Sequence, residues 1–349
     1  MIVYYVHHHG SGHAHRAVAV AARCRTPVVG VGSGPAPSGW PGAWHRLPPD
    51  TGGDTGPGTA DVTAGGTLHW VPRHHEGLRE RTGIVSELLR SGPARLLVAD
   101  VSVEMTLLAR LHGVPVAVMA QPGDRLDRPH RTAYDLADVL LAPWPRRPEH
   151  GWPAEWPAKT RYLGGLSRYD DRPAGPAVPG ARRVLVLSGS GGDGIDAAAV
   201  RAAAAGTPDW TWTVAGPSTG PGLADPPGLR RAGWSADVWS LLRDADVVVG
   251  HAGQNVVAEI AAARRPAVII PQPRPHDEQL ATAAALDRAG LATVPARWPA
   301  PREWPAVLAG AVARGGERWR EWSDGGAADR AAGVLDALAA MPVAGGAGR

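Results

Sequence analysis

Short apolar runs, closed by glycine, proline or polar residues, alternate along this chain with longer stretches of helical periodicity. Ile2–Val6 is a run of the first kind, and His13–Cys24 is of the second, with Ala17, Val20, Ala21 and Cys24 on one face. Further strands are predicted at Val28–Val31, Trp44–Leu47, Leu68–Val71, Arg95–Ala99, Val114–Met119 and Val139–Ala142, with helices at Gly77–Arg90 and Glu104–Leu111. Gly32 to Gly66, crowded with Gly, Pro, Asp and Thr, otherwise reads as loop. The pattern breaks between Pro143 and Gly180, then restarts with strands at Arg183–Leu187, Trp210–Ala215, Val247–Gly250 and Ala267–Ile270. Helices are predicted at Ile195–Ala205, Val238–Arg243, Asn255–Ala263, Glu278–Ala289, Arg302–Arg314 and Ala327–Ala340. Such alternation predicts parallel sheets with helices on both faces. Two doubly wound domains are expected: residues 1–165, a linker at 166–180, and residues 181–349, with the last helix packing back on the first domain.

The 349-residue length suits two domains of this kind. A net charge of +3, with basic residues spread along the chain and not clustered with aromatics, argues against nucleic acid as a partner. The single cysteine, Cys24, excludes an internal disulfide framework and fits a reducing compartment. No targeting segment is read before Ile2, and no run reaches the ~18 apolar residues of a membrane span. A cytoplasmic protein is expected, with peripheral contact to the inner membrane face as an option for a basic chain.

Two glycine-rich turns, His9–His13 and Ser188–Gly192, each follow the first strand of a domain, where open parallel sheets bind ligands. Each also fits a plain tight turn, and neither is an intact G-x-G-x-x-G. The segment "HAGQNVVAEIAAARRPAVIIPQPRPHDEQL" (His251–Leu280) is richer. A strand ends, Gly253 permits close approach, and a helix opens at about Gln254, whose free amides and dipole suit a diphosphate. Asn255 and Glu259, four residues apart, share a helical face: the Asn reaches a phosphate and the Glu two ribose hydroxyls. Asp277 and Gln279 offer the donors and acceptors a sugar requires. The bland alternative is a capped surface helix followed by a polar loop.

His7, His8, His9, His13 and His15 pose a separate question. Neighbours on a strand point to opposite faces, so at most two of the first three converge, and no Cys or acidic residue stands at zinc spacing. No metal site is expected. His7 and His8 are read as packing or cleft-wall residues.

The segment from His251 resembles the donor signature of the GT-B glycosyltransferases, especially the family-28 enzymes that include the peptidoglycan N-acetylglucosaminyltransferase. It is also similar to the "HCGWNS…E…DQ" pattern of secondary-metabolite glycosyltransferases. His251, Gly253, Asn255, Glu259, Asp277 and Gln279 fall at matching spacings; Val256 and Gln254 depart from the pattern. The resemblance extends over about Gly189–Leu291. It implies a GT-B architecture, two Rossmann-like domains facing across a cleft. It implies further that Trp234 stacks on the nucleobase, that Gly189 and Ser190 with His251–Asn255 hold the diphosphate, that Glu259 holds the ribose, and that Asp277 and Gln279 read the sugar.

"GSGHAHRA" resembles the family's N-terminal Gly-x-Gly-His loop, making His13 the general base on an acceptor hydroxyl. Asp100, at the end of the fourth strand, is placed to orient it; Glu104 is the rival orienter, and Asp100 as a helix N-cap is the bland reading. His9, Gly12 and Glu104 are expected on the acceptor side. The implied reaction is transfer from a UDP-sugar or dTDP-sugar to a natural-product, lipid-linked or cell-wall glycan acceptor, without cofactor or metal. Ala267 stands where retaining enzymes of this fold carry a second Glu, which favours inversion. Two alternatives stay open. Nucleotide-sugar hydrolases share a Gly-x-Gly-His-x-x-Arg loop, matched by Gly10–Arg16, and a non-catalytic nucleotide-sugar-binding protein would share the donor site alone.

Overall fold

The first strand, β1 (Ile2–Tyr5), is buried along its whole length between two parallel neighbours. In the computed structural model, which describes residues 1–8, 11–51, 61–147, 151–175, 180–189, 194–220, 224–235 and 237–342, the chain divides into two compact units. Unit 1 comprises Met1–Gln121, Arg125–Leu163 and everything from Ala327 onward; unit 2 comprises Pro122–Asp124 and Gly164–Gly326.

Unit 1 follows β1 with α1 (Ser11–Ala21), β2 (Val28–Gly32), β3 (Trp44–Arg46), α2 (Glu76–Ser91), β4 (Leu96–Ala99), α3 (Val103–Leu111), β5 (Val116–Met119), α4 (Arg128–Leu136), β6 (Val139–Ala142), α5 (Glu155–Lys159) and β7 (Thr160–Tyr162). Its seven strands form one parallel sheet in the order β3-β2-β1-β4-β5-β6-β7. The reversal of order beside β1 is the topological switch point where such sheets bind ligands. At the sheet edge Gly30 lies under two indoles: a Cβ there would stand 2.3 Å from Trp44 Cε3, so only glycine fits. The last helix, Ala327–Ala340, joins this unit through Asp336, whose carboxylate accepts from the backbone N–H groups of Arg25 and Thr26, both at 2.9 Å.

Leu68–Val71 is not a strand. The N–H groups of His69 and Trp70 donate to Glu104 Oε1 at 2.9 and 3.2 Å, and Val71 N donates to Val62 O within a turn. A carboxylate and a local turn satisfy the backbone that a neighbouring strand would otherwise have to satisfy.

Unit 2 contains β8 (Arg183–Leu187), β9 (Ile195–Asp196), α6 (Ala197–Ala205), β10 (Thr211–Ala215), β11 (Ser218–Thr219), β12 (Leu229–Gly233), α7 (Val238–Asp244), β13 (Val247–Gly250), α8 (Gln254–Ala263), β14 (Ala267–Ile269), α9 (Glu278–Arg288) and α10 (Trp304–Arg314). Its main sheet is parallel in the order β12-β10-β8-β13-β14, again reversing beside the first strand. With no Phe and 14 Trp in the chain, indoles fill the core. Trp212 packs edge-on against Trp304 at 5.1 Å, and its buried N–H donates to Thr207 Oγ1 at 2.9 Å. That bond removes the cost of burying an indole N–H.

Candidate active site

In unit 1 the site forms at the carboxyl ends of β1 and β4. The parallel register places Tyr5 beside Ala99, and Asp100 N donates to Tyr5 O at 3.1 Å. The Asp100 side chain is fully buried at the switch point. His13 sits in the first turns of α1, and its Nδ1 lies 3.1 Å from Asp100 Oδ1. The carboxylate also takes a 2.5 Å ion pair from Arg16 Nη2, which in turn lies 3.0 Å from His13 Nδ1. Burial pushes the Asp100 carboxyl up, but Arg16 and His13 together outweigh it and hold the group down at about 2. Asp100 is therefore a charged carboxylate throughout the physiological range.

The bland reading of Asp100 as an N-cap does not hold. Ser102 caps α3, accepting from Met105 N at 3.2 Å. Between them Val101 adopts φ 64°, a left-handed conformation costly for a β-branched side chain. Glu104, the rival orienter, is committed elsewhere: besides the backbone of His69 and Trp70 it accepts from Ser102 Oγ at 3.0 Å. Gly12 lies in the first turn of α1, next to His13, whereas His9 falls outside the described residues. β1 ends at Tyr5, so His7 and His8 are not held to opposite strand faces; their rings stack at 4.7 Å, and His7 lies 5.5 Å from the His13 ring.

A second group in unit 1 carried no sequence signal beyond the Asp-x-Pro spacing of a helix start. Asp127 caps α4, accepting from His130 N at 3.0 Å while its other oxygen meets His130 Nδ1 at 2.6 Å. Arg125 Nη1 faces His130 Nε2 at 3.2 Å. Burial first, then Arg125, pushes His130 down to about 4 despite Asp127, so the ring is neutral. Ligand atoms of His69, Asp127 and His130 lie within 4.8 Å of one another. However, Asp127 and Arg125 already occupy both ring nitrogens of His130, and a guanidinium beside Nε2 opposes a cation.

In unit 2 the donor-type residues gather at the carboxyl ends of β8, β13 and β14. Gly253 caps α8 with φ −69° and ψ 140°, and a Cβ there would meet nothing within 4 Å, so the approach to the helix amides is open. Gln254 and Asn255 occupy its first turn. His251 donates Nδ1–H to Ile270 O at 2.9 Å, and burial keeps its ring below the usual imidazole range. One turn along α8 Glu259 is buried, and burial raises its carboxyl. Arg168 Nε pairs with its Oε1 at 2.8 Å while the guanidinium lies 4.7 Å from the Tyr169 ring centre.

After β14, His276 and Asp277 both take left-handed backbone, φ 62° and 55°, and Asp277 is exposed. Gln279 is buried, and its Oε1 accepts from Gln272 N at 2.9 Å, which fixes the loop. Gln272 itself donates to Gly194 O at 3.2 Å, linking this loop to the glycine-rich turn after β8. Gly189 is exposed in that turn; Ser190 falls outside the described residues. Trp234, just after β12, is 71% exposed, an indole with no packing role to account for it.

The fold has relatives among solved structures. The glycotransferase of kitacinnamycin superposes with TM-score 0.69 at 17% identity, covering 98% of this chain and 99% of that one. MurG of Acinetobacter baumannii gives 0.59 at 18%, covering 97% and 99%. The protein has the GT-B fold of glycosyltransferases. Residues 232–297 match the family described as Glycosyltransferase family 28 C-terminal domain. The UDP-N-acetylglucosamine--N-acetylmuramyl-(pentapeptide) pyrophosphoryl-undecaprenol N-acetylglucosamine transferase of Sorangium cellulosum (strain So ce56) is 30% identical over 264 residues, 71% of this chain and 61% of the relative. The transferase of the same description from Solidesulfovibrio magneticus is 32% identical over 205 residues, 53% of this chain and 54% of that one. The chain spans 61% and 54% of these curated relatives' lengths, and its family match lies within unit 2. Among the described residues no helix is long and apolar enough to cross a membrane.

Proposed function

We propose that the protein transfers a sugar from a nucleoside diphosphate sugar to an acceptor hydroxyl with inversion at the anomeric carbon. The observation that carries this reading is the His13–Asp100 pair: Nδ1 to Oδ1 is 3.1 Å, with the carboxylate fully buried at the switch point. In a ring whose Nδ1–H is held by Asp100, Nε2 keeps its lone pair outward and takes the acceptor proton. The acceptor oxygen attacks C1, the bond from C1 to the β-phosphate oxygen breaks, and the nucleoside diphosphate leaves. The amides of the α8 start carry the developing phosphate charge, so no metal is required. Trp234 stacks on the base, Gly189, Ser190 and His251–Asn255 hold the diphosphate, and Glu259 binds the ribose. Asp277 reads the sugar, and Gln279 shapes the loop that presents it. His9 and Gly12 line the acceptor side, with Glu104 securing the neighbouring loop.

The names of the curated relatives favour UDP over dTDP and a lipid-linked acceptor, which would place the protein at the cytoplasmic membrane face. The test is nucleoside diphosphate release from a panel of UDP- and dTDP-sugars, with and without acceptors and with EDTA. His13→Ala should lower turnover by about 10²–10⁴-fold, the range of general-base catalysis. Full turnover in that variant would remove His13 from the chemistry.

Hydrolysis is the second reading. It is favoured by Arg16, which completes the Gly-x-Gly-His-x-x-Arg pattern and bonds to both members of the pair. Rapid release of free sugar without acceptor would establish it, with the same histidine activating water.

A further inference from the structure

Two groups converge on one ring nitrogen of a third. His13 Nδ1 lies 3.0 Å from Arg16 Nη2 and 3.1 Å from Asp100 Oδ1, and the same Nη2 lies 2.5 Å from that same Oδ1. Arg16 and Asp100 are both buried. A guanidinium donates and never accepts, and a carboxylate accepts. A neutral imidazole has one proton for two nitrogens, so the two neighbours demand opposite tautomers. If Nδ1 accepts from Arg16, the ring proton sits on Nε2, and the outward nitrogen has no lone pair to offer. If Nδ1–H donates to Asp100, the outward nitrogen is free to take a proton.

We propose that Arg16 sets the tautomer of His13 and thereby decides whether the ring serves as a base; it is a positioning residue. This rests on the reading of His13 as general base. In the resting arrangement Arg16 bridges ring and carboxylate, and Nε2 carries the proton. In the competent arrangement Arg16 keeps only the carboxylate, and the ring proton moves to Nδ1. When the acceptor hydroxyl gives its proton to Nε2, the imidazolium then faces a carboxylate whose charge Arg16 already balances. Among the described residues, the other titratable groups around the cluster are the His7 ring, 5.5 Å from that of His13, the buried Tyr4 of β1, which senses both Asp100 and Arg16, and the buried Tyr5, which senses Asp100. A tyrosine carries no positive charge in any protonation state, and only the guanidinium is a permanent cation paired with the carboxylate. Sequence spacing explains how Arg16 arrives: it lies three residues after His13 on α1, on the same helical face.

The experiment combines ¹⁵N-histidine spectra, in which the two tautomers give distinct ring-nitrogen shifts, with the pH profile of kcat/KM. The His13 signals are assigned by their loss in His13→Ala. Arg16→Met is expected to move His13 from the Nε2–H to the Nδ1–H form and to shift the acid limb of the profile upward by about one pH unit, the scale of one adjacent charge. Arg16→Lys should restore the wild-type limb. Arg16→Gln keeps a donor to Asp100 without the charge and serves if the methionine variant does not fold; it should shift the limb as the methionine does. An unchanged tautomer and an unchanged acid limb in the uncharged variants overturn the proposal. Failure of the base reading is separately visible: His13→Ala would turn over normally even though the tautomer responds to Arg16.

Discussion

Arg168 Nε stands 2.8 Å from Glu259 Oε1, so the buried carboxylate read as the ribose partner carries an arginine of its own. Burial raises the Glu259 carboxyl and Arg168 draws it back. The ion pair keeps a charged acceptor in a place that would otherwise favour its protonation. Glu259→Gln keeps the shape and loses the charge. It should raise the donor KM by about tenfold or more, since hydrogen bonds to charged groups contribute roughly 1.5–3 kcal/mol. Initial-rate kinetics against nucleotide sugar would check it; an unchanged KM would remove the ribose role.

Asp100 should tie stability to acid. Its carboxyl is held at about 2, below the ordinary 3.8, so its contribution is fully present above the unfolded value and is lost as pH falls through the folded one. The shift corresponds to on the order of 2 kcal/mol. Denaturant titrations of wild type and Asp100→Asn should differ most above pH ~5 and converge toward pH ~2. A difference independent of pH would show that the carboxylate charge is not what Arg16 and His13 hold.

Val101 invites a trade of stability against activity. Its φ of 64° is strained for a β-branched residue and immediately follows Asp100. Val101→Gly removes that strain, offset in part by glycine's extra unfolded-state entropy, for a net gain of about 0.5–1 kcal/mol. The expected pattern is a higher Tm with a lower kcat/KM, because the strained link helps aim the carboxylate. A lower Tm would show that the surroundings demand the valine side chain.

Trp234 should behave in the opposite way. At 71% exposure it stabilises little, so Trp234→Ala should leave Tm nearly unchanged. Loss of base stacking should weaken nucleoside diphosphate binding by about 1–3 kcal/mol, which calorimetry would read directly. Equal affinity in both proteins would return Trp234 to the ordinary surface.

The buried parallel strands were legible because both faces of each are covered, which leaves continuous runs such as Val247–Gly250. Of the four edge strands of the two larger sheets, β3 and β14 were legible and two were not: β12, LRRAG, is only partly buried, and β7 has a single buried residue, so neither carries such a run. α4 hid behind a charged composition, although Asp127 followed by a proline in the first turn is a helix-start signal. The nearness of His13 and Asp100 followed from strand order, since β4 lies beside β1. Arg16 and Arg168 could not be read the same way. Their partners, Asp100 and Glu259, are far away in sequence, and no local pattern ties an arginine to a distant carboxylate.

The closing helix has a consequence for how the chain is made. Asp336 bonds to the backbone at Arg25 and Thr26, and the unit that contains β1 includes every described residue from Ala327 onward. Domains that emerge first from the ribosome generally fold first. Here the contact of Asp336 with Arg25 and Thr26 forms only once the intervening unit 2 has been synthesised.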